Sequence, residues 1–136
     1  MATTVSIIGC GWLGLPLAIQ LLRDGYQVHG STTSTDKLPK LQAAGITPFL
    51  FDLTIDTPTV DPTLFDVDTI IITIPFKRTL EDPMTYYQHL AFLCEHAIQH
   101  NCTKIIMCSS TSVYPNTNST LTEESPIADT ERAIVL

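Results

Sequence analysis

One stretch constrains this chain more than any other: Val5-Ser6-Ile7-Ile8-Gly9-Cys10-Gly11-Trp12-Leu13-Gly14. A largely apolar run from Val5 to Ile8 leads straight into G-x-G-x-x-G. Beyond it, Leu13, Leu17, Ala18, Leu21 and Leu22 recur at helical spacing, and Gly25 follows. Strand, tight turn and helix, in that order, form the context in which this motif signals a dinucleotide cradle. Gly9 lets the chain leave the strand where a Cβ would clash, Gly11 lets backbone N–H groups approach a pyrophosphate, and Gly14 lets the helix lie close on the strand. The helix N-terminus then offers unpaired N–H groups and partial positive charge to an anion. Pro16 has no N–H to lose, so it belongs in the first turn and sets the helix start near Trp12. Gly9, Gly11, Trp12, Leu13 and Gly14 are therefore the first cofactor-binding candidates.

The chain has 136 residues and a net charge of −7, enough length for one domain with a real core. The acidic balance disfavours nucleic acid and anionic membranes as partners. No apolar stretch reaches the roughly 20 residues needed to span a bilayer. The start, Met-Ala-Thr-Thr, lacks a basic region followed by an apolar signal core, so the cytoplasm is the expected location. Cys10, Cys94, Cys102 and Cys108 form no C-x-x-C and no disulfide framework. Cys10 reads as a small residue filling the glycine turn rather than as a reactive thiolate.

The periodicity predicts strands over 4–9, 27–31, 47–51, 68–74 and 103–108, and helices over 12–24, 36–44 and 84–100. Thr35 is the candidate N-cap of the second helix, with Pro39 in its first turn and Gly45 at its end. Pro48 argues that the third strand lies at a sheet edge, where a missing N–H does no harm. Residues 53–67, rich in Thr, Asp and Pro, read as a connecting segment with a short turn at 62–65. Residues 109–129 read as a polar loop, and 130–136 as the start of another helix. This alternation implies an α/β fold, a Rossmann-like doubly wound parallel sheet ordered 3-2-1-4-5 and covered by helices on both faces.

Further candidates stand where such a sheet binds ligands. The second strand ends in Ser31, Thr32 and Thr33, with Lys37 nearby and no carboxylate to accept from a ribose 2′-OH. Hydroxyls with a lysine suit a 2′-phosphate, which favours NADP(H) over NAD(H). A solvated turn leading into the helix is the alternative. Asp52 and Leu53 end the third strand, where the acid can accept from an adenine amino group and the leucine can pack on the ring. Ile74 and Pro75 end the fourth strand, across the crevice from the glycine turn. Lys77 and Arg78 follow as loop cations. His89, His96 and His100 share related helix faces, and His96 and His100 have the i, i+4 spacing that can share a metal, but no strong third ligand is evident on that face, so no metal site is expected. At the end of the fifth strand lies Cys108-Ser109-Ser110-Thr111-Ser112-Val113-Tyr114. A hydroxyl there can bind a substrate carbonyl or alcohol in the transition state, given a proton-transfer partner.

These residues, with Thr122-Glu123-Glu124-Ser125-Pro126, resemble the N-terminal half of an extended short-chain dehydrogenase/reductase of the epimerase/dehydratase branch. Gly-Trp-Leu-Gly with Thr-Ile-Pro is similar to an atypical group of NAD(P)-binding, epimerase-like proteins. The resemblance implies that Ser110 takes the active-site Ser/Thr position. It also implies a small-molecule substrate, a carbonyl compound or nucleotide sugar, and a homo-oligomer. The family's Tyr-x-x-x-Lys pair has no counterpart, since Thr130 and Ile134 stand there, and Pro115 replaces the glycine usual after Val-Tyr. Family members also continue through further strands and a substrate region, so the chain is expected to be a fragment or a truncation.

Three functions compete. The first is the cofactor half of an NAD(P)-dependent oxidoreductase or epimerase. The second is a non-catalytic dinucleotide-binding or sensor module, which the missing Tyr and Lys favour. The third is the N-terminal domain of another dehydrogenase, such as the prephenate type, against which the Ser-Ser-x-x-Val-Tyr run argues.

Overall fold

The computed structural model describes residues 2–55, 58–75, 82 and 84–128. Five strands, β1 (Thr4–Ile8), β2 (Gln27–Thr32), β3 (Thr47–Leu50), β4 (Thr69–Ile72) and β5 (Lys104–Met107), form one sheet in the order β3-β2-β1-β4-β5. Every pairing is parallel. The central strand is β1. Val5 stands opposite Val28 on one side and Thr69 on the other, and Ile7 stands opposite Gly30 and Ile71. The chain leaves β1 toward β2 and later returns on the far side as β4. The carboxyl end of β1 is therefore the point where connections part, and it carries the glycine turn.

Alternation along the strands builds two cores, one on each face. Val5 and Ile7 of β1, Val28 of β2 and Ile71 of β4 pack with Ala18 of α1 (Gly14–Arg23) and Leu41 of α2 (Leu38–Ala43). Ile8, Ile70 and Ile72 face the other way, onto Leu93 and Ala97 of α3 (Met84–Gln99) and onto Leu64 and Phe65. Each side chain of this size, fully buried, contributes on the order of 1.5–3 kcal/mol. Ser6 is the polar exception on β1. It is fully buried, and its hydroxyl donates to the Leu64 carbonyl.

The expected strand order and the edge position of β3 are what the structure has. Several local expectations are corrected. The first helix begins at Gly14, not near Trp12, because the turn geometry persists through Leu13, the cap position. Thr35 is not an N-cap: it opens a 3-10 turn, Thr35–Lys37, and α2 starts only at Leu38. The hydroxyl that supports this corner is that of Thr32, which accepts from the Ser34 N–H at 3.2 Å. The segment from Leu53 onward is more than a connector. Its 3-10 turn, Pro62–Leu64, is capped by Asp61, whose carboxylate accepts from the Thr63 N–H at 2.9 Å, and Leu64, Phe65 and Val67 are buried. The stretch after β5 also holds a 3-10 turn, Thr111–Val113. Ile105 and Ile106 of β5, the outermost strand among the described residues, are 38% and 39% exposed. The expected helix over 130–136 lies outside the described residues.

Candidate functional site

The glycine turn is held from both flanks. Gly9 adopts φ +104, a left-handed conformation that side chains rarely tolerate. Its N–H donates to Ser31 Oγ at 3.0 Å, and the Cys10 N–H donates to the Ser31 carbonyl at 2.8 Å. From the other side, Thr73 Oγ1 donates to the Gly9 carbonyl at 2.6 Å. The close approach of α1 depends on Gly14, where a Cβ would overlap the Gly9 carbonyl oxygen and lie 2.8 Å from Thr73 Oγ1. In front of Gly11, an added Cβ would meet none of the described residues within 4 Å. Among the described residues, no side chain caps the N-terminus of α1. That terminus, with its partial positive charge, is available to an anion.

Cys10 points into the core below α1 and is 5% exposed. Burial pushes its thiol up to about 11, with the hydrogen bond from the Ser31 backbone opposing only in part. It is therefore protonated and unreactive at neutral pH. His29, on β2, has its ring shifted below the ordinary histidine value by burial, partly offset by the Thr63 carbonyl and Asp61.

A cavity of about 480 Å³ opens over the turn. Its floor is Gly9, Gly11, Trp12, Leu13 and Gly14, and the Trp12 indole stands 90% exposed at its rim. One wall is formed by the ends of β2 and β3: Ser31, Thr32 and Thr33, then Asp52 and Leu53. Of the three hydroxyl residues, Ser31 and Thr32 already support the backbone, while Thr33 is exposed. Asp52 Oδ1 accepts from the N–H and the hydroxyl of Thr54 at 2.8 and 2.7 Å, which orients its carboxylate. The opposite wall holds Ile74 and Pro75 from the end of β4, and Ser110 after β5. Ser110 Oγ accepts from the Ser112 N–H at 3.2 Å and lies 2.8 Å from Ser112 Oγ.

The sequence candidates for the cofactor thus line one cavity, apart from Lys37. Lys37 is exposed in the 3-10 turn and is not among the lining residues. Lys77 and Arg78 lie outside the described residues. Among the described lining residues there is neither Lys nor Arg. The groups these lining residues could offer an anion are backbone N–H groups and hydroxyls.

The structure adds Phe51, Thr54 and Tyr86, which no motif singled out, and brings to the cavity Thr73, His89 and Cys108, which stood in noted stretches without being named as cofactor candidates. Phe51 and Thr54 flank the Asp-Leu pair, and Thr73 precedes Ile-Pro, so closeness to chosen residues was their signal. Tyr86 and His89 carried the i, i+3 spacing of one helix face. His96 and His100 serve packing instead. The His96 ring stacks on Phe92 at 4.2 Å and meets Phe65 edge-on at 5.4 Å, and His100 Nδ1 lies 2.8 Å from the His96 carbonyl. Among the described residues, no three His, Cys, Asp or Glu side chains gather as a metal-holding set. No helix there is long and apolar enough to cross a membrane.

Comparison with known proteins agrees with this geometry. Residues 4–126 match the family model described as the NAD binding domain of 6-phosphogluconate dehydrogenase. Protein YeeZ of Escherichia coli K12 is 37% identical over 126 residues, which cover 90% of this chain and 46% of that protein. The chain thus spans about half the length of this curated relative. Among solved structures, the ADP-L-glycero-D-manno-heptose-6-epimerase of Helicobacter pylori superposes with a TM-score of 0.69 at 18% identity, covering 98% of this chain and 48% of that one. An NAD-dependent NDP-hexosamine 5,6-dehydratase, TunA, superposes with a TM-score of 0.73 at 17% identity, covering 98% and 46%. At such identities these two show a shared fold. The chain belongs to the family of NAD-binding domains represented by that of 6-phosphogluconate dehydrogenase, in a Rossmann fold shared with part of the epimerase and dehydratase structures.

Proposed function

We propose that the chain is the cofactor-binding part of an NAD(P)-dependent oxidoreductase of the epimerase/dehydratase type. The observation that carries this is the cavity over the glycine turn, with no described residue in front of Gly11 and no described side chain capping the helix behind it. The residues present fit a dinucleotide. The N–H groups of the turn and of the start of α1 would hold the pyrophosphate. Asp52, with Phe51 and Leu53 beside it, would receive the adenine, and Thr33 with its neighbours the adenosine ribose. Ile74 and Pro75 would border the nicotinamide. Ser110 would hydrogen-bond a substrate oxygen and hold it for reaction. When bound, a nicotinamide cofactor supplies hydride transfer.

The finer reading is a preference for NADP(H), supported by the hydroxyls at the end of β2 and by the lack of a carboxylate among them. Relatives of this fold named as epimerases and dehydratases of nucleotide-linked sugars support a nucleotide sugar, or another carbonyl compound, as substrate. Four free cysteines suit a reducing compartment, which supports the cytoplasm. The half-exposed isoleucines of β5 support self-association.

A non-catalytic binding module is the second reading, favoured by Thr130 and Ile134 where the family has Tyr and Lys. Calorimetric titration with NADPH and NADH tests binding. Turnover of reduced cofactor with a panel of carbonyl compounds and nucleotide sugars, by this chain and by any longer form of the protein, separates the two readings. Absence of binding to either dinucleotide would refute both.

A further inference from the structure

Tyr86 is a wall residue that no motif announces. It stands in the first turn of α3, 2% exposed, among the residues that line the cavity. Its hydroxyl donates to the Ile74 carbonyl at 2.9 Å, twelve residues back in the chain. Ile74 lies just past β4, where the ladder has ended: Thr73 still donates its N–H to the Ile8 carbonyl at 3.0 Å. The end of β4 is in turn packed on the glycine turn. A Cβ built on Gly9 would lie 3.3 Å from Ile74 Cγ1 and 3.4 Å from the Ile74 nitrogen. A short series of contacts therefore runs from α3, through the end of β4, to the floor of the cavity. Burial, with a smaller contribution from Cys108, raises the Tyr86 phenol above its ordinary value. The hydroxyl thus remains a donor through neutral and mildly alkaline pH.

We propose that Tyr86 is a positioning residue for the nicotinamide half of the dinucleotide: by holding the Ile74 carbonyl, it sets the gap between the end of β4 and the glycine turn. This rests on the reading of the cavity as an NAD(P) site. The sheet order separates the two halves. The adenosine wall comes from β2 and β3 on one side of β1, whereas β4 and Tyr86 lie on the other. Removing the Tyr86 hydroxyl removes this bond to Ile74, on the side of β1 away from the adenosine wall.

The experiment is Tyr86→Phe, which keeps the ring and hence the packing of α3. Calorimetry compares NADPH with adenosine 2′,5′-bisphosphate, a probe for the adenosine half alone, and thermal unfolding of the free protein checks the fold. The expected result is NADPH binding weakened about tenfold, the scale of one lost hydrogen bond to a part-buried acceptor, with the bisphosphate unchanged within about twofold. Unchanged NADPH affinity in the folded variant would overturn the proposal. So would an equal loss for both ligands with a lowered unfolding midpoint, which would mark a purely structural role. A wild-type chain that binds neither ligand would instead remove the cofactor reading itself, and the proposal with it.

Discussion

Replacing Gly11 with Asp separates ligand binding from folding. A Cβ at Gly11 meets none of the described residues within 4 Å, and this glycine is not in the left-handed region, so the fold should accept the side chain. Losing a glycine's freedom in the unfolded chain offsets part of any strain, and stability should move by no more than about 1 kcal/mol. The new carboxylate would stand where the pyrophosphate is to lie. Two unit charges about 4 Å apart near a protein surface repel by roughly 4 kcal/mol. With some relief by side-chain rotation and salt, about 3 kcal/mol remains, or roughly a hundredfold in affinity. Gly14→Ala is the contrasting variant. Its Cβ would collide with the Gly9 carbonyl, and α1 would have to move off β1. That variant should lose stability and binding together. Calorimetry with NADPH, beside thermal unfolding of each variant, reads both effects. If Gly11→Asp stays folded and binds NADPH within threefold of wild type, the phosphate does not lie over this turn.

Three further outcomes are expected. NADPH should bind about fivefold more tightly than NADH at low salt, the worth of roughly one hydrogen bond, about 1 kcal/mol; equal or tighter NADH binding would show that the end of β2 was misread. Cys10 should resist iodoacetamide in the native protein at pH 8, where a thiol raised to about 11 is almost entirely protonated. Because the folded state holds that proton more tightly than the unfolded state, stability should decline as pH rises from about 9 toward 11; native-state alkylation of Cys10 seen by peptide mass spectrometry would contradict its burial. The chain should self-associate at high concentration, and Ile106→Lys on the outer strand should reduce this; a strictly monomeric wild type in sedimentation equilibrium would count against the β5 edge as the contact.

The fold was legible because its strongest signals are local. A strand, a glycine turn and a helix are contiguous from Val5 to Arg23, and Pro48 marks the edge of the sheet by its missing N–H. The candidate site was legible where it sits on strand ends, since topology carries those to one crevice. Tyr86 and His89 were not, because they arrive from a helix whose cavity-facing side depends on how α3 packs. Nor was the fate of Lys37, which turns on one local detail: the Thr32 hydroxyl and the Ser34 amide shape a 3-10 corner before α2 begins. Thr35 misled for the same reason, a cap residue standing where the helix had not yet started.

The segment between β3 and β4 has a consequence for how the chain tolerates cutting and grafting. Its Thr, Asp and Pro content makes it look like the natural place to nick the protein or insert a tag. Yet Phe65 is fully buried, Leu64 is 1% exposed, and the Leu64 carbonyl takes the hydroxyl of Ser6 beneath the sheet. The His29 ring also reaches Thr63, with Nδ1 3.1 Å from its carbonyl. Proteases should therefore spare the bonds around Leu64, Phe65 and Val67 in the native state, because cleavage requires an extended, accessible backbone. Two fragments divided there would each inherit half of a wedge, the second lacking the strand it is driven against. For anyone building a split reporter or a circular permutant on this scaffold, the least ordered-looking stretch of the sequence is one of the worst places to open it.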